Sequence, residues 1–300
     1  MTPTSTPPRS GTLKGVALML AAMAVLPFLD VAAKMLGQQG LPILQIVWAR
    51  MALGAALTLP FVLRLGGTAA LRPDRPVLHG FRAAFLLAAT FAFFFALKFL
   101  PIADSLAIFF IHPLLVTALS PLLLGETVGP RRWAAVAVGF IGTLIIIRPG
   151  FAEVNPGTLL ALASGASFAC YILMTRRISG QAHAVITTFH TSLLGTVLAT
   201  ALVVWGWQAP SLSQWGLLLL VGFLATFGHF LIVRAYDHAE ASLLAPLAYT
   251  EIVMATLAGW WFFRDFPDGW TILGVSILIG CAIHISWRER APAAVTMPQP

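Results

Sequence analysis

The chain has 300 residues, of which 59% are hydrophobic and only 10% charged, with a net charge of +7 and a mean hydropathy of +0.89. Soluble domains run near ~45–50% apolar and ~25% charged, so the composition excludes a soluble enzyme or nucleic-acid-binding domain and indicates an all-α integral membrane protein. The positive charge makes no lysine-rich run that would grip nucleic acid, and Cys170 and Cys281 both lie in apolar stretches without metal-ligand spacing.

In chain order, residues 1–12 are Pro- and Thr-rich and are expected to form a disordered tail. Five apolar segments follow at 13–36, 43–65, 77–99, 103–124 and 133–147. Five more lie at 156–178, 185–207, 215–236, 239–263 and 269–286, and residues 288–300 read as a second disordered tail. Most segments reach the ~20 residues that a helix needs to cross ~30 Å of hydrocarbon. Their apolar runs are continuous rather than alternating, which favours helices over a β-barrel. The first is read as a helix and not a cleaved leader, because charges follow it without a polar mature domain.

The basic residues set an orientation. Arg9, Lys14, Arg64, Arg72, Arg75, Arg82, Arg131, Arg132, Arg176, Arg177, Arg234, Arg288 and Arg290 fall at one end of the segments. Lys98, Arg148 and Arg264 fall at the other, with Lys34 and Arg50 inside helices. The positive-inside rule then places both termini in the cytoplasm, in a multi-pass protein of the cell inner membrane.

The segments repeat. "DSLAIFFIHPLLVTALSPLLLGE" from Asp104 aligns with "ASLLAPLAYTEIVMATLAGWWFFRD" from Ala241, setting Ser105 on Ser242 and, across a small gap, Glu126 on Asp265. Gly15 set on Gly157 brings Lys34 onto Arg176. The predicted fold is ten transmembrane helices in two repeats, residues 13–150 and 151–287. Five is odd, so the second repeat enters the membrane in the opposite sense, as in inverted-repeat transporters with a site between their halves.

The five-plus-five pattern, "GE" after segment four and "RDFPDGW" after segment nine resemble the EamA family of the drug/metabolite transporter superfamily. The resemblance runs from about Leu13 to Arg290. It implies a central cavity open alternately to either side, no ATPase domain, and export of amino acids or other metabolites. Relatives in the superfamily import riboflavin or S-adenosylmethionine. It further implies that helices five and ten pack together away from the cavity, for which Ala135 with Gly139 and Ser276 with Gly280 offer close contact.

Ionisable residues within hydrocarbon cost at least ~2.5–3.5 kcal/mol each and normally face a cavity or a partner. Asp30 and Lys34 share one helical face at the i,i+4 spacing of a salt bridge. They read either as a gate or as a snorkelling anchor with its counter-ion. Pro27 before them can kink the helix. Arg50 sits deep in segment two and can grip a carboxylate with two hydrogen bonds, or pair with Asp30. Glu251, flanked by Tyr249 in segment nine, can bind a cation, take up a proton or neutralise an arginine. His112 and His190 fall in helices of opposite repeats, and Trp48, Tyr171 and Tyr249 are candidate cavity aromatics. His229 is a third helix histidine, and packing is the alternative for each ring.

Nothing in the sequence suggests a catalytic nucleophile–base set, a metal site or a cofactor, so a transporter is favoured over an intramembrane enzyme. The short loops disfavour a receptor or scaffold. Cations and anions mixed with aromatic faces suit a zwitterionic, amino-acid-like metabolite, moved outward. Uptake of riboflavin or S-adenosylmethionine, or export of a carboxylate-rich metallophore, are the alternatives. A nucleotide-binding motif is missing from the sequence, so a gradient is expected to drive transport, with a proton as the candidate coupling ion. The chain is expected to work as a monomer or homodimer.

Overall fold

The computed structural model describes residues 9–125, 128–147, 155–177, 183–236, 238 and 244–289, and the predicted helices are there. In the first half, α1 spans Arg9–Gln38, α2 Ile43–Gly66, α3 Pro76–Ala96, α4 Ile102–Phe109, α5 His112–Leu124 and α6 Pro130–Ile147. In the second, α7 spans Pro156–Arg177, α8 Ala184–Val203, α9 Leu212–Tyr236, α10 Thr250–Phe263 and α11 Gly269–Glu289. The ends follow local chemistry. Pro76 opens α3, where a missing N–H costs nothing. At the starts of α7 and α11, the Asn155 and Asp268 side chains accept the backbone N–H of Thr158 and of Thr271, at 3.0 and 2.8 Å. Gly125 closes α5 with φ +69°, a left-handed turn that glycine adopts without strain.

Ten spans account for these helices, because α4 and α5 form one interrupted span. The chain leaves the helix at Phe110 and Ile111, just ahead of Pro113, which has no N–H to continue the ladder. The described part of the ninth span departs from α-helix too, with a 3₁₀ stretch at Ala245–Tyr249 leading into α10. Aligning Ser105 with Ser242 sets His112 on Tyr249, so the interruptions occupy matching places in the two repeats. They also meet in space, where Phe110 stacks on Tyr249 with centroids 4.8 Å apart and planes 28° from parallel. Helix α1, by contrast, runs on through Pro27 without a break.

Packing obeys the repeat. Helix α1 lies against α9 and α10, and its counterpart α7 lies against α3 and the α4–α5 span. The remaining partners are self-matched, α2 on α8 and α6 on α11. Helices five and ten of the ten spans, α6 and α11, therefore do pack together, but through other residues than expected. A Cβ on Gly274 would stand 2.6 Å from the Gly142 carbonyl oxygen and 2.4 Å from Ile146 Cγ1. Gly139 instead backs onto Leu114 of α5, and Gly280 faces open space. The core between the helices is apolar, with Leu36, Ile46, Leu97 and Leu218 wholly enclosed. Phe223, Phe227 and Trp261 are exposed on the outside of the bundle, as a lipid-facing surface requires.

Candidate functional site

The interrupted spans position the first charge. Glu251 is the second residue of α10, immediately after the 3₁₀ stretch. A carboxylate there sits in the first turn of α10, where the helix dipole favours negative charge. Asp30 of α1 lies beside it, and around Arg50 of α2 gather Asp30, Thr90 of α3, Tyr171 of α7 and His229 of α9. Arg50 donates through one Nη to Thr90 Oγ1. Its charge couples to Asp30, Tyr171 and His229, and Asp30 couples to Glu251. His229 spends its Nδ1 proton on the Ala225 carbonyl at 2.8 Å.

The charges gather without closing on one another. Among the described residues, no ion-pair contact joins Arg50 to Asp30 or Glu251. The buried Arg50 Nε has no hydrogen-bond partner. Asp30 is only 5% exposed. Ionisable groups enclosed among apolar helices normally serve a partner or a ligand.

One turn along α1 lies the second group. Lys34 does not pair with Asp30. Its Nζ stands 2.8 Å from Asp265 Oδ2, just past α10, and donates to the Leu100 carbonyl at 3.3 Å. The ammonium also lies 4.8 Å from the centre of the Phe263 ring. Local i,i+4 spacing suggested Asp30, but Asp30 is turned toward Arg50 while the end of α10 brings Asp265 over Lys34. This pair borders a cavity of about 470 Å³ together with Gln38, Phe94 and Lys98. The cavity opens at the end of the bundle opposite the start of α1.

The other candidates are dispersed. Trp48 donates to Thr200 Oγ1 at 2.8 Å and packs edge-on against Trp207, so it ties α2 to α8 near that same end. His112 sits at the break in span four, with its ring against Phe109, Phe110 and Phe168. Tyr249 lines the matching break. His190 is remote from Arg50 and joins His79 and Arg82 near the other end of α3. Sequence reasoning missed Thr90, which carried no signal, and counted Arg82 merely as one of the basic residues that set orientation. Arg82 is six residues inside α3 and 2% exposed. Glu126 and the side chain of Arg176, matched to Asp265 and Lys34 by the repeat, lie outside the described residues.

Ten spans in two oppositely entering repeats, interrupted at matching points around enclosed charges, define an inverted-repeat membrane transporter. The chain belongs to the EamA-like transporter family, whose model matches residues 13–148 and again 155–287. It is 26% identical to an S-adenosylmethionine uptake transporter of Rickettsia prowazekii, over 93% of this chain and 94% of that one. It is 31% identical to a riboflavin transporter of Rhizobium johnstonii, over 79% and 80%. A pseudopaline exporter of Pseudomonas aeruginosa is 28% identical over 83% and 88%. A solved crystal structure, 21% identical, superposes with a TM-score of 0.65 over 94% of this chain and 99% of its own, a likeness of fold.

Proposed function

We propose that this transporter carries a zwitterionic, amino-acid-like metabolite across the inner membrane, outward, with both termini in the cytoplasm. The observation that supports this reading is the enclosed chain of charges in which Arg50 acts on Asp30 and Asp30 on Glu251, with no ion pair closed between them among the described residues. A substrate carboxylate would take the unused guanidinium donor, and a substrate ammonium would lie between the two carboxylates. A simple ion would satisfy only one side of that set. In this orientation the cavity beside Lys34 faces the periplasm, and Lys34 with Asp265 forms an outer latch between it and the central charges. Asp30 and Glu251 are the groups placed to take up a coupling proton, and the unit that transports is a monomer or homodimer.

A second reading is uptake of S-adenosylmethionine, itself an amino-acid zwitterion, favoured by the relatives of that name. The deciding experiment is flux in proteoliposomes made without ATP, with amino acids, S-adenosylmethionine and riboflavin tested in parallel. Outward-driven movement of an amino acid supports the first reading and saturable S-adenosylmethionine uptake the second. Riboflavin movement alone would overturn the zwitterion site. Concentrative flux that survives collapse of the pH gradient would remove the proton.

A further inference from the structure

Arg82 is a buried cation with neutral partners. It lies within span three, at 2% exposure. Its Nε donates to Thr175 Oγ1 at 3.0 Å and one Nη donates to His79 Nδ1 at 3.3 Å. Its guanidinium lies 5.4 Å from the centre of the Tyr171 ring. Among the described residues no carboxylate is in ion-pair contact with it. Asp74, in the exposed loop before α3, acts electrostatically on His79 rather than closing on the arginine. A charge taken out of water with only neutral partners is costly, and the cost is recovered only when an anion arrives.

The neighbouring histidine is also incomplete. His190, on α8 and 4% exposed, donates its Nε2–H to the Ala70 carbonyl at 2.9 Å, which leaves its buried Nδ1 an acceptor without a partner. Its ring centre is 5.1 Å from that of His79. Two imidazoles and a guanidinium fork thus converge from α3 and α8, one helix from each repeat.

We infer that Arg82, together with His79, forms a second oxyanion-binding station, which takes the carboxylate of the transported molecule near the α1-start end of the bundle. This deepens the proposed function and rests on it. Tyr171 is coupled to Arg50 on one side and to Arg82 on the other. On α3, Thr90 (bonded to Arg50) and Arg82 are separated by about 12 Å along the axis at 1.5 Å per residue. The two arginines are therefore successive holds at different depths, with the Tyr171 ring against Arg82. Because Arg82 of one repeat is bonded to Thr175 of the other, relative movement of the repeats would assemble or loosen the station.

The test uses acetate as the probe and the full-length protein labelled with ¹⁵N-arginine, in detergent, with the Arg82 Nε resonance assigned through Arg82→Lys. Acetate should shift that resonance saturably, whereas chloride and methylammonium at equal ionic strength should not. His79→Phe, which keeps a ring but removes the Nε2–H donor, should weaken the acetate response by about tenfold, the worth of one charge-assisted hydrogen bond. An Arg82 resonance indifferent to acetate would overturn the station. So would a resonance already shifted in bilayers containing phosphatidylglycerol but not phosphatidylcholine, since the occupant would then be a lipid phosphate. The acetate response needs no flux. Failure of the amino-acid reading with an intact acetate shift would therefore remove the substrate assignment alone, and the reverse result would remove the station alone.

Discussion

Lys34 and Asp265, 231 positions apart in the chain, are joined at 2.8 Å across the boundary between the two repeats. The lysine is 8% exposed and the aspartate 33%, so one charge is held in the protein and the other reaches the edge of the cavity. The bond spans from α1 to the end of α10, and any separation of those helices must break it. A latch of this kind is stronger than a surface pair, because the lysine it would strand is buried.

Neutralising either partner should therefore change how readily this end opens. Lys34→Gln and Asp265→Asn are each expected to cost about 1–3 kcal/mol of the closed state, between exposed and buried pairs. Labelling of a cysteine placed at Gln38 by a membrane-impermeant thiol reagent should speed up in both variants. The exchange Lys34→Asp with Asp265→Lys should restore part of the protection. Asp30→Asn should leave the labelling rate alone, and equal effects of Asp30→Asn and Asp265→Asn would show the pairing to be wrong.

Much of the scaffold was legible because apolar runs of membrane length leave little choice of structure. Partners across the bundle were not legible. Asp30 lay on the right face of α1 for Lys34, and only the path of span nine shows that Asp265 takes that role. Arg82 followed basic loop residues and looked like one more anchor until α7 and α8 enclosed it. The departures from α-helix at 110–111 and 245–249 went unread although Pro113 and Pro246 stand beside them, and their meeting at Phe110 and Tyr249 is a property of the fold. Arg50, Asp30 and Glu251 could be picked out because charge in hydrocarbon demands a reason, whereas Thr90 is an ordinary residue in a membrane helix.

The contact between α6 and α11 should be intolerant of side chains at its closest point. A Cβ on Gly274 would be pressed to 2.6 Å from a backbone carbonyl, so Gly274→Ala forces the helices apart. The expected loss is about 1–3 kcal/mol, as for overpacking elsewhere, read as a lower unfolding temperature in detergent. Gly280→Ala, in open space on the same helix, should be neutral.

Orientation follows from the basic residues and is checked directly. Reporter fusions at Arg72 and at Arg131 should report the cytoplasm, and fusions at Gly150 and Pro210 the periplasm. Opposite signals at two or more of these sites would reverse the latch to the inner side.

The stack of Phe110 on Tyr249 should depend on the ring. Tyr249→Phe keeps the 4.8 Å contact and should retain most of the flux. Tyr249→Ala removes a buried ring where two interrupted spans meet, a loss of about 3–5 kcal/mol by the usual core values. Flux should fall steeply, and the unfolding temperature in detergent should fall with it, while Tyr249→Phe keeps both higher than Tyr249→Ala.

The central charges make the sharpest demand on the substrate. If Arg50 holds a carboxylate through its fork, Arg50→Lys keeps the charge but loses the second hydrogen bond, and affinity should drop about tenfold. The same variant should lose little further affinity for a substrate whose carboxyl is blocked as an amide, because the missing bond was never made to it. Glu251→Gln should show the complementary pattern, discriminating against the native substrate but not against its N-acetylated form. Asp30→Asn should resemble Glu251→Gln if both carboxylates face the ammonium. It should resemble Arg50→Lys if Asp30 serves mainly to orient the guanidinium. Competition assays with the intact, amidated and acetylated molecules across these three variants separate the two roles. Equal losses for every ligand in all three would mean that the charges hold the helices together and do not contact substrate.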